Sequence, residues 1–254
     1  MNENFLLQGE RIDEIGFNSL RLIQKPDEFC YGVDAVILAD FAAKFINQNR
    51  KLKKGIDLGT GTGIIPFILS HKTELEKIYG VELQKDSFNR ACRNAQLNNI
   101  ENRITFINED ISNLLENNPS LKGSFDVVTT NPPYMSGGAG LVNNNSAKTI
   151  ARHETTADLD SFIRVSSELL RDKGELFIVH RPSRLVDICE FSRKYKLEPK
   201  EMQFVSPNKN IKPNILMLRC VKHGNPELKF MDPLYVYDEE KKDYTDEIMQ
   251  IYER

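Results

Sequence analysis

Tryptophan is absent from the chain of 254 residues, and only four cysteines and four histidines are present. Cys30, Cys92, Cys189 and Cys220 lie far apart, with no C-x-x-C pair and no neighbouring histidine. A disulfide framework and a structural zinc site are therefore both unexpected, and free thiols suit a reducing compartment. His71, His153, His180 and His223 are equally scattered, so no metal site is expected. No apolar run approaches the roughly 20 residues of a membrane helix. The opening Met1-Asn2-Glu3-Asn4-Phe5 lacks the basic and apolar parts of a signal peptide. The protein is expected in the cytoplasm, away from membranes and without an obligatory protein partner.

A strong charge of either sign is also missing. The net charge is −3, from 34 Lys and Arg against 37 Asp and Glu, which gives no general support for a polyanionic partner. The acids are unevenly placed, however. Residues 226–254 carry nine acids and four bases, which leaves residues 1–225 with 30 bases and 28 acids. A local basic surface on the main body is thus compatible with the total. With 40% hydrophobic and 28% charged residues, the composition is that of an ordinary globular protein without low-complexity bias.

Periodicity divides the chain. Two short strands around a turn are expected over Arg11–Phe17 and Leu20–Gln24, followed by a helix from Val33 to Ala43. Short apolar runs then alternate with amphipathic ones. Strands are expected at Gly55–Leu58, Lys77–Val81, Arg103–Ile107, Phe125–Thr130 and Glu175–Val179, with helices near Ile64–Ser70, Lys85–Leu97, Ile111–Leu115 and Leu159–Leu170. This succession of βαβ units predicts a doubly wound, mostly parallel α/β sheet with ligands at the carboxyl ends of its strands. A further helix over Ser183–Lys194 and strands over Glu201–Val205 and Ile215–Val221 complete it. The organisation expected is an N-terminal hairpin and helix over 1–48, an α/β domain over 49–225 and an acidic tail over 226–254. The polar, glycine- and asparagine-rich stretch from Met135 to Lys148 reads as a mobile loop.

The strongest local signal is Gly55-Ile56-Asp57-Leu58-Gly59-Thr60-Gly61-Thr62-Gly63-Ile64, set where a strand turns into a helix. Its spacing fits neither the dinucleotide fingerprint nor a P-loop. The pattern D-x-G-x-G-x-G instead resembles motif I of the S-adenosylmethionine-dependent methyltransferases, which makes Asp57, Gly59, Gly61 and Gly63 cofactor-binding candidates. Glu82 ends the second strand of the α/β region, where a carboxylate can accept hydrogen bonds from both ribose hydroxyls. Asp110 follows the third, where an acid in that family accepts from the adenine amino group.

The second signal is Asn131-Pro132-Pro133-Tyr134, directly after the strand Phe125–Thr130. Two prolines end a central strand and stiffen the loop that follows. The Asn131 amide oxygen and the Pro132 carbonyl can together accept both hydrogens of a planar NH2 group, and Tyr134 offers a face on which its ring can stack. Asn131, Pro132 and Tyr134 are the catalytic candidates. The four residues resemble motif IV of the amino-group methyltransferases, whose target nitrogen belongs to adenine, cytosine or glutamine.

Further pieces narrow the likeness: Phe29-Cys30-Tyr31-Gly32-Val33-Asp34 ahead of motif I, Arg152-His153-Glu154, Lys212-Pro213-Asn214, and Pro233-Leu234-Tyr235-Val236-Tyr237. Over nearly its whole length the chain resembles the bacterial tRNA1(Val) adenine-N6 methyltransferase family. The resemblance implies a Rossmann-like seven-stranded methyltransferase fold, S-adenosylmethionine as cofactor and tRNA as substrate, methylated at an adenosine on the 3′ side of the anticodon. It also implies that Gly32 and Asp34 help close the cofactor pocket, that Asn131 borders it, and that Arg152-His153-Glu154 orders a loop on substrate. Glutamine-N5 methylation of a release factor, DNA adenine methylation and a catalytically silent binding module remain as alternatives. A basic surface for RNA is expected from Arg50, Lys51, Lys53, Lys54, Arg181, Arg184, Lys209 and Lys212.

Overall fold

Lys54–Leu58 (β3) sits inside the sheet, buried from Gly55 to Leu58, and pairs with a parallel strand on each side. The computed structural model describes residues 5–17, 19–27, 30–134, 158–238, 240 and 242–253. In chain order, a hairpin of β1 (Arg11–Glu14) and β2 (Arg21–Gln24) leads into α1 (Val33–Gln48). Then come β3, α2 (Ile64–Lys72), β4 (Lys77–Glu82), α3 (Lys85–Leu97), β5 (Ile104–Asn108), α4 (Leu114–Asn117) and β6 (Phe125–Thr130). After the next described residues follow α5 (Leu159–Leu169), β7 (Leu170–His180), α6 (Leu185–Lys194), β8 (Leu197–Ser206) and β9 (Ile215–Lys222).

Strands β3 to β9 form the expected seven-stranded sheet in the order β8-β9-β7-β6-β3-β4-β5, all parallel except β9. Two short strands, β10 (Lys229–Phe230) and β11 (Leu234–Tyr235), extend it along the outer edge of β8. Residues 229–235 therefore lie along the sheet edge, and the last helix, α7 (Asp246–Ile251), buries Ile248 and Ile251 beside α1.

Alternation along the central strands feeds two cores. Val127, Phe177 and Val179 face one layer with α1, α2 and α7, while Val128, Leu176 and Ile178 face the other with α5 and α6. Burial on both faces is the reason β6 reads as a continuous buried run rather than an alternating one. Each such side chain contributes about 1.5–3 kcal/mol of transfer free energy. At the amino end of the sheet, Asp126 Oδ2 accepts the Lys53 and Lys54 N–H groups at 2.7 and 2.8 Å, tying β3 to β6.

Several expected boundaries move: the first strand ends at Glu14, the first helix runs on to Gln48, the strand expected at Glu175–Val179 begins at Leu170 and the helix expected at Ser183–Lys194 begins at Leu185. Two further shifts have a local reason. The helix expected at Ile111–Leu115 begins at Leu114, because Asp110 Oδ1 accepts the Ser112 N–H at 2.8 Å and holds residues 110–113 in a turn. The strand expected at Glu201–Val205 begins at Leu197, with a register shift between Pro199 and Glu201, where proline has no N–H to give the ladder. Phe29, the stretch 135–148 and Arg152-His153-Glu154 lie outside the described residues.

Candidate active site

Five parallel strands, β3 to β7, bring their carboxyl ends to one side of the sheet, and every candidate from the sequence except Gly32 and Asp34 is carried there by a strand end. After β3 the chain turns through Gly59, Gly61 and Gly63 at φ of 71, 58 and 94°. Gly63 starts α2, and a Cβ on it would lie 2.7 Å from Phe67 and 2.9 Å from Phe106. Around Gly61 nothing lies within 4 Å of such a Cβ, so this peptide faces open space. The turn is bound to β4, with Gly59 and Thr60 N–H groups donating to the Val81 carbonyl at 3.0 and 2.9 Å.

Glu82, at the end of β4, completes that attachment. Its Oε2 accepts the Gly61 N–H at 2.8 Å and its Oε1 accepts the Gln84 N–H at 2.9 Å. Each oxygen keeps a further lone pair. Burial raises the Glu82 pKa above the ordinary carboxylate range, against the pull of these N–H groups. Asn108, at the end of β5, donates to the carbonyls of Glu82 and Leu83 at 2.8 and 3.0 Å and so fixes the backbone beneath the carboxylate. Asp110 stands one strand further out, on the turn after β5.

Asp57 is 1% exposed, on β3 beneath the glycine turn. Its Oδ1 accepts the Thr129 hydroxyl at 2.7 Å. Its Oδ2 and the Thr60 hydroxyl are both buried, and Thr60 acts on the Asp57 carboxyl as a hydrogen-bonding neighbour. Burial pushes the Asp57 carboxyl up to about 7, and the Glu82 carboxylate adds to the rise.

At the end of β6, Pro132 is buried, Asn131 half-buried and Pro133 exposed. The phenol of Tyr134 donates to Asp34 Oδ2 at 2.8 Å, joining the first turn of α1 to this loop. Asp34 Oδ1 in turn accepts the Ala35 N–H at 3.0 Å, and a Cβ on Gly32 would strike that oxygen at 2.5 Å. Burial and the Asp34 carboxylate both raise the Tyr134 pKa, so the phenol keeps its proton. His180, the last residue of β7, meets the Tyr134 ring edge-on at 5.0 Å and 67°. The Arg181 guanidinium lies over the same ring at 4.7 Å. The Arg181 N–H donates to His180 Nδ1 at 2.8 Å, which assigns the imidazole proton to Nε2. Burial, with Arg184 and Arg181 close by, holds the His180 pKa down to about 4.

The methyltransferase-domain family model matches residues 49–253. The chain belongs to this methyltransferase family. It is 32% identical over 144 residues to the tRNA1(Val) (adenine(37)-N6)-methyltransferase of Porphyromonas gingivalis, a match covering 56% of this chain and 55% of that one. The protein of the same name from Parabacteroides distasonis is 24% identical over 220 residues, 87% of each chain. The match to the first of these spans only about half of that relative's length. Among solved structures, one described as a predicted O-methyltransferase from Agrobacterium tumefaciens superposes with a TM-score of 0.68 at 17% identity, covering 87% of this chain and 95% of that one. That likeness shows a Rossmann-like methyltransferase fold.

S-adenosylmethionine, the cofactor of this methyltransferase family, fits the residues present. Open space beside Gly61 and two buried carboxylates, Asp57 and Glu82, suit a polar ligand that carries positive charge.

Sequence reasoning missed His180, Arg181 and Asn108 as members of this methyltransferase site. The sequence carries no local signal for them: it is the order β7-β6-β3 that sets the end of β7 beside the end of β6. The expected basic set is divided by the fold. Arg50, Lys51, Lys53 and Lys54 lie at the amino end of β3, across the sheet from the site, whereas Arg181, Arg184, Lys209 and Lys212 lie at the carboxyl end. No cluster able to hold a metal ion occurs among the described residues, and no helix among them is long and apolar enough to cross a membrane.

Proposed function

We propose that this chain transfers a methyl group from S-adenosylmethionine to the exocyclic N6 of an adenine in tRNA, the adenosine on the 3′ side of the anticodon of tRNA1(Val). The observation that carries this reading is Asn131-Pro132-Pro133-Tyr134 at the end of β6, beside the glycine turn of β3, with the Tyr134 ring fixed by Asp34. The names of the curated relatives support the same substrate.

When bound, S-adenosylmethionine supplies a methyl group on a positively charged sulfur, open to in-line displacement. Glu82 holds the ribose hydroxyls, Asp110 the adenine amino group, and Asp57 with Gly59, Gly61 and Gly63 shapes the turn beneath them. Gly32 and Asp34 close the pocket through Tyr134. Asn131 and the Pro132 carbonyl accept the two amine hydrogens of the target base and favour pyramidal nitrogen, which frees its lone pair. Tyr134 stacks on the base. No side chain has to act as a base, because the methylated nitrogen is strongly acidic and releases its proton afterwards. The enzyme's contribution is positioning and electrostatics.

Incubating the protein with unmodified tRNA transcripts and isotopically labelled cofactor, then identifying the labelled nucleoside by mass spectrometry, tests this. Label in N6-methyladenosine is expected. Label in a glutamine-containing release-factor peptide, with none in tRNA, would transfer the same site to protein methylation.

A further inference from the structure

We infer that the RNA phosphates dock on a strip formed by residues 181–187 and 207–214, beside Tyr134, and that the denser basic run at residues 50–54 takes no part. The inference rests on the RNA reading above and specifies where that substrate sits.

The fold brings the two segments together. β8 runs with β7 because both are antiparallel to β9, so the β8–β9 loop leaves the sheet at the same end as Arg181. Leu216 pairs with His180 on one side and Phe204 on the other, which sets the loop directly against the end of β7. An Arg181 N–H of the guanidinium donates to the Asn214 carbonyl at 3.0 Å and closes the contact.

Charge and exposure favour a polyanion here. In a chain of net charge −3, these two segments hold Arg181, Arg184, Lys209 and Lys212 against one acid, Asp187, which is paired with Arg184. Arg181, Lys209 and Lys212 are exposed. Val186 and Ile211, 75% and 51% exposed, are large apolar side chains that such a rim has no internal reason to present. Unstacked bases and sugars of a single-stranded RNA loop offer apolar faces to meet them. Arg181 joins the strip to the site, since its guanidinium already lies over the Tyr134 ring.

The basic run at 50–54 is exposed at Arg50, Lys51 and Lys53, but its place in the fold and its partners set it aside. It lies at the opposite end of β3, about 13 Å of strand away from the glycine turn. Lys53 is paired with Glu76 at 3.1 Å, and the Lys54 ammonium lies over the Phe125 ring at 4.4 Å and the Tyr79 ring at 5.1 Å. Lys53 and Lys54 thus serve the base of the sheet.

Two double variants of the full chain decide the matter, Lys209→Ala with Lys212→Ala and Lys51→Ala with Lys53→Ala. All four positions are on the surface or flank the sheet, and Lys209→Glu with Lys212→Glu gives a second, stronger version. Binding of unmodified tRNA transcript is measured from 50 to 200 mM salt, alongside methylation kinetics and S-adenosylhomocysteine affinity. The Lys209/Lys212 pair is expected to raise KM for tRNA roughly tenfold and to flatten the slope of log affinity against log salt by about 1.4 to 1.8. Its kcat and cofactor affinity stay unchanged, and the glutamate version weakens binding further. The Lys51/Lys53 pair behaves as wild type. An unchanged slope for Lys209/Lys212, or the loss appearing in Lys51/Lys53 instead, overturns the docking surface while leaving adenine methylation standing. A wild-type protein that methylates no tRNA removes both.

Discussion

The hydroxyl of Tyr134 donates to Asp34 Oδ2 at 2.8 Å across 100 residues of sequence, so the N-terminal extension sets the angle of a ring in the catalytic loop. A hydrogen bond to a charged group is worth about 1.5–3 kcal/mol. If its role is to orient the ring, removing either end should have the same effect. Tyr134→Phe keeps the stacking face and should fall between wild type and Tyr134→Ala in KM for tRNA. Asp34→Ala, which removes the acceptor, should match Tyr134→Phe, and the double variant should be no worse than the poorer single one. A double-mutant cycle on single-turnover rates measures this coupling. Additive losses would mean that Asp34 acts on something other than Tyr134.

Glu82 links two jobs, since the carboxylate that faces the cofactor pocket also anchors the Gly61 N–H. Glu82→Ala should weaken cofactor binding at least tenfold, from the loss of roughly 1.5–3 kcal/mol per charge-assisted bond. Glu82→Gln can accept at only one of the two positions and should lie between. Isothermal calorimetry with S-adenosylhomocysteine reads the series. Equal affinity in all three proteins would remove Glu82 from the pocket.

Two buried groups pull stability in opposite directions over one pH range. Asp57 is raised to about 7, so the folded protein holds a proton that the unfolded chain has released, and stability from this group is lost as pH rises from about 4 through 7. His180 is lowered to about 4, so its contribution is present above pH 6.5 and is lost as pH falls toward 4. Between about pH 4 and 6.5 the two slopes oppose one another. Asp57→Asn should therefore show a melting temperature that climbs with pH more steeply than wild type, and His180→Gln one that falls relative to wild type. Calorimetric scans from pH 4 to 7.5 compare the three. Parallel curves would show that neither group titrates differently in the folded state.

What was legible in the sequence was local. Gly59, Gly61 and Gly63 announce a turn because the chain must take left-handed backbone there, and Asn131-Pro132-Pro133 ends a strand because proline cannot continue the ladder. Glu82 and Asp110 could be placed because each follows an apolar run at the end of a strand. The Asp34–Tyr134 bond had no local trace, since it depends on α1 returning to the carboxyl side of the sheet. His180 was one scattered histidine among four until β7 was set beside β6. The basic set was half misplaced because composition records how many charges a segment holds, while the end of the sheet at which they emerge belongs to topology.

Asn131 separates a transferase from a silent binding module. It is half-buried at the end of β6, held by the buried Pro132 that follows and by the ladder to β3 behind it. If its amide oxygen favours pyramidal nitrogen only on the way to the transition state, Asn131→Ala should lower the single-turnover rate several hundred-fold, in line with the ~2.7–4 kcal/mol attributed to one preorganised polar group. Cofactor affinity should hardly change, because Glu82, Asp110 and the glycine turn are untouched. Asn131→Asp is the sharper variant. It keeps the acceptor but adds a charge on the half-buried end of β6, so it should restore part of the rate at low pH, where the carboxyl is neutral, and little of it at high pH. A wild-type rate in Asn131→Ala at unchanged cofactor affinity would show that this side chain does not hold the amine, and the role would pass to the Pro132 carbonyl alone.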